Sequence, residues 1–237
     1  MSGLPYGLNA WLFLNEDEPA GTNYDSPDSC YQTLIRYRTY DSAEFIGIAF
    51  FEVVDAATGC SIEIGASSHP GGKFLATMVY SGSNTLAKVF AGGGDPQTQA
   101  ATFAANLVTY LRTNGMNGID IDWEGDVSND LTCDQFRTLF TAIRQAFDAQ
   151  PVKYYLSFTP AWPTDSIDYA ALNSSFDFIS PQFYDGTPLP VFLSAGMSPA
   201  LIGYGAQFEP DNSAPNTSAQ QVWSTVSPGF TQGGQPY

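Results

Sequence analysis

Apolar residues in this chain fall into short runs that alternate with longer stretches of helical spacing. The short runs predict strands over 7–14, 45–54, 87–91, 118–124, 154–159, 178–184 and 201–207. Hydrophobic positions three and four residues apart predict helices over 31–40, 96–113, 133–149, 167–174 and 219–226. In the third helix, Phe136, Leu139, Phe140, Ile143 and Phe147 mark the face that should be buried. Asp95 before Pro96 supplies a capping carboxylate ahead of a proline at the first helical position. Thr132 with Gln135 three residues on has the form of a capping box, and Asn114-Gly115 is a helix stop. The stretch 55–83 shows no regular period and predicts no assigned element.

Strands alternating with helices imply parallel pairing through right-handed crossovers. An open doubly wound sheet and a barrel both fit that rhythm. No glycine-rich dinucleotide fingerprint follows the first strand, so the α/β fold expected is a compact (β/α)8 TIM barrel. Only 229–237 follow the last helix, and the closing unit is therefore expected to be incomplete or atypical. No repeat, low-complexity tract or linker divides the chain, which predicts a single domain over 1–237.

Charge narrows the partners. With 24 acidic against eight basic residues the formal charge is -16, a field that repels a phosphate backbone and excludes nucleic acid. No stretch approaches the length of a membrane-spanning helix, and a monomer with no membrane partner is expected. The three cysteines have no metal-ligand spacing; they leave open a single Cys30–Cys60 bridge or three buried thiols. The first residues lack the basic start and cleavage pattern of a secretory signal. Sequons at Asn173 and Asn216 permit glycosylation in a secretory pathway.

Chemistry concentrates in Asn117-Gly118-Ile119-Asp120-Ile121-Asp122-Trp123-Glu124. On a strand, Asp120, Asp122 and Glu124 share one face, and Ile119, Ile121 and Trp123 share the other, which helices would cover. The carboxylates then point into the barrel, where branched apolar side chains normally sit. Gathering three like charges there costs several kcal/mol unless they share protons and hydrogen bonds, a penalty that packing does not require. A metal site and a solvated edge strand are the bland alternatives. The single histidine, His69, is distant in sequence, and helices predicted on both sides argue against an edge.

This segment resembles the glycoside hydrolases of family 18, which include chitinases and endo-β-N-acetylglucosaminidases. Their fourth barrel strand carries Asp-x-x-Asp-x-Asp-x-Glu; Asp120, Asp122 and Glu124 match its last three positions, with Asn117 in place of the first Asp. Ala91-Gly92-Gly93-Gly94, read as the end of the third strand, is similar to the family's Ser-x-Gly-Gly with Ala91 for the serine. Gln182-Phe183-Tyr184-Asp185, ending the sixth strand, resembles its Met/Gln-x-Tyr-Asp/Asn segment. Losing the serine and the first Asp would remove outer partners that tune the inner carboxylates. The family's eighth-strand tryptophan has no counterpart in the tail, and Trp223 is expected to pack on a helix.

The resemblance implies retaining hydrolysis of β-1,4-linked N-acetylglucosamine in which the substrate's 2-acetamido group is the nucleophile. Glu124 would protonate the leaving oxygen, with its proton affinity raised by burial and neighbouring charge. Asp122 would orient the acetamido N–H, Asp120 would share a proton with Asp122, and Tyr184 would donate to the acetamido oxygen. Gln182, Asp185, Trp162 and Gly93 are candidate substrate contacts, and no metal or cofactor is called for. The partner implied is an N-acetylglucosamine-containing polysaccharide or glycan, and a secreted enzyme is expected for such a substrate. Two other readings stay open: an endo-β-N-acetylglucosaminidase cutting the chitobiose core of N-glycans, and a non-catalytic lectin or inhibitor.

Overall fold

The computed structural model describes residues 9–13, 45–49, 52–55, 59–61, 73–80, 85–124, 131–183 and 187–203. The predicted helices over 31–40 and 219–226, His69, Tyr184, Asp185 and the C-terminal tail lie outside the described residues.

Six strands form one parallel sheet: β1 (Asn9–Phe13), β2 (Phe45–Ala49), β5 (Lys73–Tyr80), β6 (Gly118–Trp123), β7 (Tyr155–Pro160) and β8 (Phe178–Ile179). Each pairs with the next in the order β1-β2-β5-β6-β7-β8, without reversal. A doubly wound sheet reverses direction at a switch point, whereas a barrel is wound in one sense. The sheet is thus an α/β half-barrel. An isolated parallel bridge between Ile179 and Ile202 extends it to the start of the predicted 201–207 strand.

Two strand assignments change. The run 45–54 divides into β2 and β3 (Glu52–Asp55), and β3 forms a separate antiparallel hairpin with β4 (Gly59–Ser61). The predicted strand over 87–91 is a 3-10 helix, Leu86–Phe90, started by the Thr85 side chain accepting from the Ala87 N–H. The true third strand of the main sheet is β5, inside the stretch that showed no period. Its run Lys73-Phe-Leu-Ala-Thr-Met-Val-Tyr is apolar on both faces, and such a run carries little period-two signal.

The helices follow their caps. Helix α1 (Pro96–Thr113) starts where the Asp95 carboxylate accepts from the Thr98 N–H and ends at Asn114-Gly115, with Gly115 at φ 66. Helix α2 (Cys133–Asp148) opens on the capping box of Thr132 and Gln135. Its five predicted core residues are all buried. Each such side chain removes enough apolar surface from water to contribute roughly 1.5–3 kcal/mol before entropy is counted. Helix α3 (Tyr169–Ser175) starts two residues later than expected, capped by Asp168, and α4 (Leu189–Ala195) replaces the end of the predicted 178–184 strand as the next regular element.

Two cores sandwich the sheet. Outside, Ile119, Ile121 and Trp123 of β6 pack with the α1 and α2 faces, and Trp123 meets Phe136 and Phe158 edge-on or tilted at 5.9 and 5.5 Å. Inside, Phe45, Leu75 and Phe178 close the floor, with Tyr155 against Phe45 at 4.8 Å. Gly118 begins β6 beside Tyr155, whose carbonyl oxygen would lie 2.0 Å from any Cβ placed there. Only glycine lets β6 and β7 approach this closely at that point.

Candidate active site

Strand alternation puts Asp120 and Asp122 on the inner face of β6, at 1% and 6% exposure, and Glu124 just past its carboxyl end at partial burial. The three predicted carboxylates therefore do converge. In register, Asp120 lies between Thr77 of β5 and Ser157 of β7, and Asp122 lies beside Thr159.

The two inner carboxylates have different company. Asp120 Oδ1 accepts hydrogen bonds from the Ser157 hydroxyl at 2.6 Å and the Thr159 hydroxyl at 2.9 Å. Asp122 is hydrogen-bonded to Glu124. A single amide nitrogen, Gln182 Nε2, donates to Asp122 Oδ1 at 2.6 Å and Glu124 Oε1 at 2.8 Å, and approaches the Thr159 carbonyl at 3.4 Å. Burial away from water raises the Asp122 carboxyl to about 9, helped by the charges of Glu124 and Asp120 and by the hydrogen bond with Glu124; the Gln182 donor opposes the rise. The free protein therefore holds a proton on Asp122, next to Glu124, across neutral pH. Two hydrogen-bonded carboxyl groups that share a donor at 2.6 and 2.8 Å can pass a proton between them as charge develops nearby.

Gln182 is brought to the site by the chain leaving β8, where its N–H donates to the Pro160 carbonyl at 2.9 Å. Tyr184 and Asp185 lie outside the described residues. Trp162 follows β7 at the carboxyl end of the sheet with 37% of its surface exposed. Gly93 is not at the end of a sheet strand. It sits in an exposed turn after the 3-10 helix, at φ 69, with its carbonyl accepting from Gln99.

Asn117, the departure from the carboxylate pattern, and Ala91, the departure from Ser-x-Gly-Gly, both lie outside β6. Asn117 precedes β6 at the amino end of the sheet, where its Oδ1 accepts from the Phe74 N–H at 2.9 Å and its backbone joins β5 to β7. It tethers strands and does not tune the inner carboxylates. Ala91 is the exposed cap that follows the 3-10 helix, outside the strands of the sheet that carries Asp120. The residue beside Asp120 on β5 is Thr77, fully buried, whose hydroxyl finds no partner among the described residues.

Sequence reading passed over Ser157 and Thr159. Their signal was present: they alternate within Tyr-Leu-Ser-Phe-Thr-Pro, polar on the same inward face that carries the carboxylates one strand away. Cys133 is a free, half-buried thiol, so one of the three cysteines forms no bridge. The sequon at Asn173 is also constrained, because its Nδ2 donates to the Gly196 carbonyl and its Oδ1 accepts from the Ser198 N–H, each at 2.8 Å.

A family match, to the description "Glycosyl hydrolases family 18", covers residues 66–222. Endochitinase 1 of Metarhizium anisopliae is 28% identical over 120 residues, which are 47% of this chain and 28% of that protein. Among solved structures, the chitinase domain of the spore coat protein CotE from Clostridium difficile superposes with a TM-score of 0.56 at 17% identity, over 85% of this chain and 65% of its own. The spore cortex-lytic enzyme SleL of Bacillus megaterium gives 0.59 at 14% identity, over 94% and 57%. The chain thus spans less than two thirds of the length of these proteins. At such identities the solved structures speak for the fold, and the family match carries the assignment.

Proposed function

The chain belongs to the glycosyl hydrolases of family 18, and we propose that it hydrolyses β-1,4-linked N-acetylglucosamine, in chitin or chitooligosaccharides, with retention and with the substrate's acetamido group as nucleophile. In this reading the six-stranded arc belongs to a closed (β/α)8 barrel, and the enzyme works outside the cell, where such polymers lie. The observation that carries the proposal is the hydrogen-bonded Asp122–Glu124 pair under the Gln182 amide at the carboxyl end of β6.

Two ionised carboxylates would suit a retaining glycosidase with a protein nucleophile. Here one of the pair is neutral, and Asp120 is held by two hydroxyls below the site. A bound sugar supplies what is missing. As the acetamido N–H approaches Asp122, the Asp122 proton passes to Glu124 and leaves Asp122 charged. Glu124 then gives its proton to the glycosidic oxygen as the bond from that oxygen to the anomeric carbon breaks. The acetamido oxygen forms the new bond to the anomeric carbon, and Asp122 offsets the positive charge of the oxazolinium ion. Water, deprotonated by Glu124, opens that ion with net retention and restores the starting protonation. Tyr184 donates to the acetamido oxygen, and Trp162 lines the approach.

Fully acetylated chitohexaose should be cleaved to β-anomeric products, and its fully deacetylated counterpart should not. Equal cleavage of the two would leave the acetamido group without a role. A high-mannose glycoprotein run beside them separates the substrates: release of N-glycans with chitohexaose intact would move the activity to the chitobiose core.

A further inference from the structure

At the amino end of the sheet, where α2 runs into β7 and α3 runs into β8, the surface holds a hollow of about 480 Å³. That size falls within the roughly 300–1,000 Å³ of small-molecule sites. The six residues of β7 separate this end from the end that carries Glu124, a span of roughly 20 Å. The hollow is therefore no part of the carboxylate site.

Four charged groups line it, and their charges cancel. Arg144 pairs with Asp148 at 2.8 Å and with Asp177 at 2.9 Å, and Lys153 pairs with Asp177 at 2.8 Å. An entering anion meets two carboxylates, and an entering cation meets a guanidinium and an ammonium, so neither gains net attraction. Hydrogen-bonding capacity of both kinds is left over. Lys153 is half exposed, with its ammonium 4.5 Å from the centre of the Tyr155 ring, and of its three N–H donors one serves Asp177. Asp148 is two-thirds exposed and has lone pairs beyond the one that meets Arg144. The Gln150 amide donates to the Ala146 carbonyl at 3.0 Å, which leaves its oxygen as an acceptor. The Ser174 hydroxyl donates to the Ala171 carbonyl at 3.2 Å and can still accept. Beside these groups stand Pro151 and Val152, and Val152, at 58%, is the most exposed large apolar side chain among the described residues.

Interspersed donors and acceptors, no net charge and a bare apolar wall are the complement of a neutral sugar. Its hydroxyls both donate and accept, and its ring presents C–H groups. We propose that this hollow is a binding site for a neutral saccharide, separate from the carboxylates. The polar wall is ordered in advance, because Arg144 is tied to Asp148, to Asp177 and, at 3.2 Å, to the Tyr154 carbonyl. Little side-chain freedom remains to be lost when a ligand arrives. A glycan held here leaves the carboxyl end of the sheet open, so one stretch of a polymer can be gripped while another reaches Glu124. That use of the site rests on the hydrolase reading; the binding does not.

The test reads binding, not turnover. In the isotope-labelled full chain, NMR follows the backbone amides of Val152, Lys153 and Ser174 and the side-chain amide of Gln150 as di-N-acetylchitobiose or, separately, mannobiose is added. Saturable shifts at these signals are expected. Shifts with di-N-acetylchitobiose alone assign the site to N-acetylglucosamine polymers, and shifts with both sugars assign it to neutral glycans at large. Val152→Asp removes the apolar wall and adds a third negative charge, and should weaken this binding about tenfold or more. Ser174→Trp should weaken it similarly by filling the hollow. Any sugar-induced shift at the Gln182 side-chain amide should stay as in the parent in both variants. The absence of saturable shifts with either sugar overturns the proposal. So do shifts with inorganic phosphate or spermidine in place of sugar, and so does sugar binding that is unchanged in both variants. A parent that binds sugar here and leaves chitohexaose intact would remove the hydrolase reading and leave this site standing.

Discussion

A buried carboxyl group on β6 and a half-buried one at the opposite end of the sheet, before β8, show two ways of living with little water. Asp177 lies at the amino end, just before β8, and is surrounded by positive groups. Arg144 reaches it at 2.9 Å and Lys153 at 2.8 Å, and the Leu156 N–H donates at 3.0 Å. The Arg144 guanidinium also donates to the Tyr154 carbonyl and pairs with Asp148. Asp122 lies at the carboxyl end among like charges and keeps a proton instead of a counterion. The first arrangement clamps α2 to the strands: an acid matched by cations belongs to the fold. The second leaves a protonated acid hydrogen-bonded to another carboxyl group at the carboxyl end of the sheet. No packing requirement asks for it, which is why chemistry is the better account.

The strongest way to break that contrast is to remove the acid itself. Glu124→Gln keeps the shape beside Gln182 and loses the transferable proton, so turnover of chitohexaose should fall by several orders of magnitude. That corresponds to at least about 4 kcal/mol of lost transition-state stabilisation. Thermal unfolding should stay close to the parent. Residual turnover within tenfold of the parent would place the proton donor elsewhere.

The opposite signature is expected at the other end. Arg144→Met leaves Asp177 short of its main partner in a mostly buried position, and should cost about 3 kcal/mol of stability in urea unfolding. Its turnover per folded molecule should match the parent. A large loss of turnover in the folded variant would erase the division between a structural end and a chemical end.

How far the sequence announced this contrast differs between the two ends. The carboxylate face of β6 was legible because period two is strict: three acids at alternate positions can only share a face. The helices α1 and α2 were legible because their caps are local chemistry, written within four residues of each start. The partners of the acids were not legible. Ser157 and Thr159 belong to Asp120 through register, and Asp177 to Arg144 through a crossover of 33 residues, and neither relation has a local signal. The glycine triplet after Ala91 shows the opposite failure. A plausible match drew the third strand to 87–91, while β5, apolar on both faces, carried no periodic mark to contest it. Asn117 was weighed as a chemical residue because the pattern numbers it with the acids. Three residues along a strand, however, span about 10 Å, enough to move it from the chemical end to the structural one.

The finest test of the contrast uses stability against pH. Asp122 carries a proton to about pH 9 in the folded protein, against a usual value of 3.8 for the exposed acid of the unfolded chain. Folding therefore retains a proton that unfolding releases throughout that interval. The stability linked to this group is fully present below about pH 4, declines as pH rises, and is lost once pH passes through the folded value near 9. The slope is at most about 1.4 kcal/mol per pH unit for one proton, so up to roughly 3 kcal/mol separates pH 6 from pH 8. Asp122→Asn removes the titrating group while keeping its size. Urea midpoints for the parent should fall between pH 6 and pH 8, and those for Asp122→Asn should be flatter over the same range. Arg144→Met should lie below the parent at every pH and run parallel to it, because the ion pair it breaks involves neither Asp122 nor its proton. If Asp122→Asn kept the parent's slope, the proton would reside on some other group, and the chemical end would differ from the structural end only in its geometry.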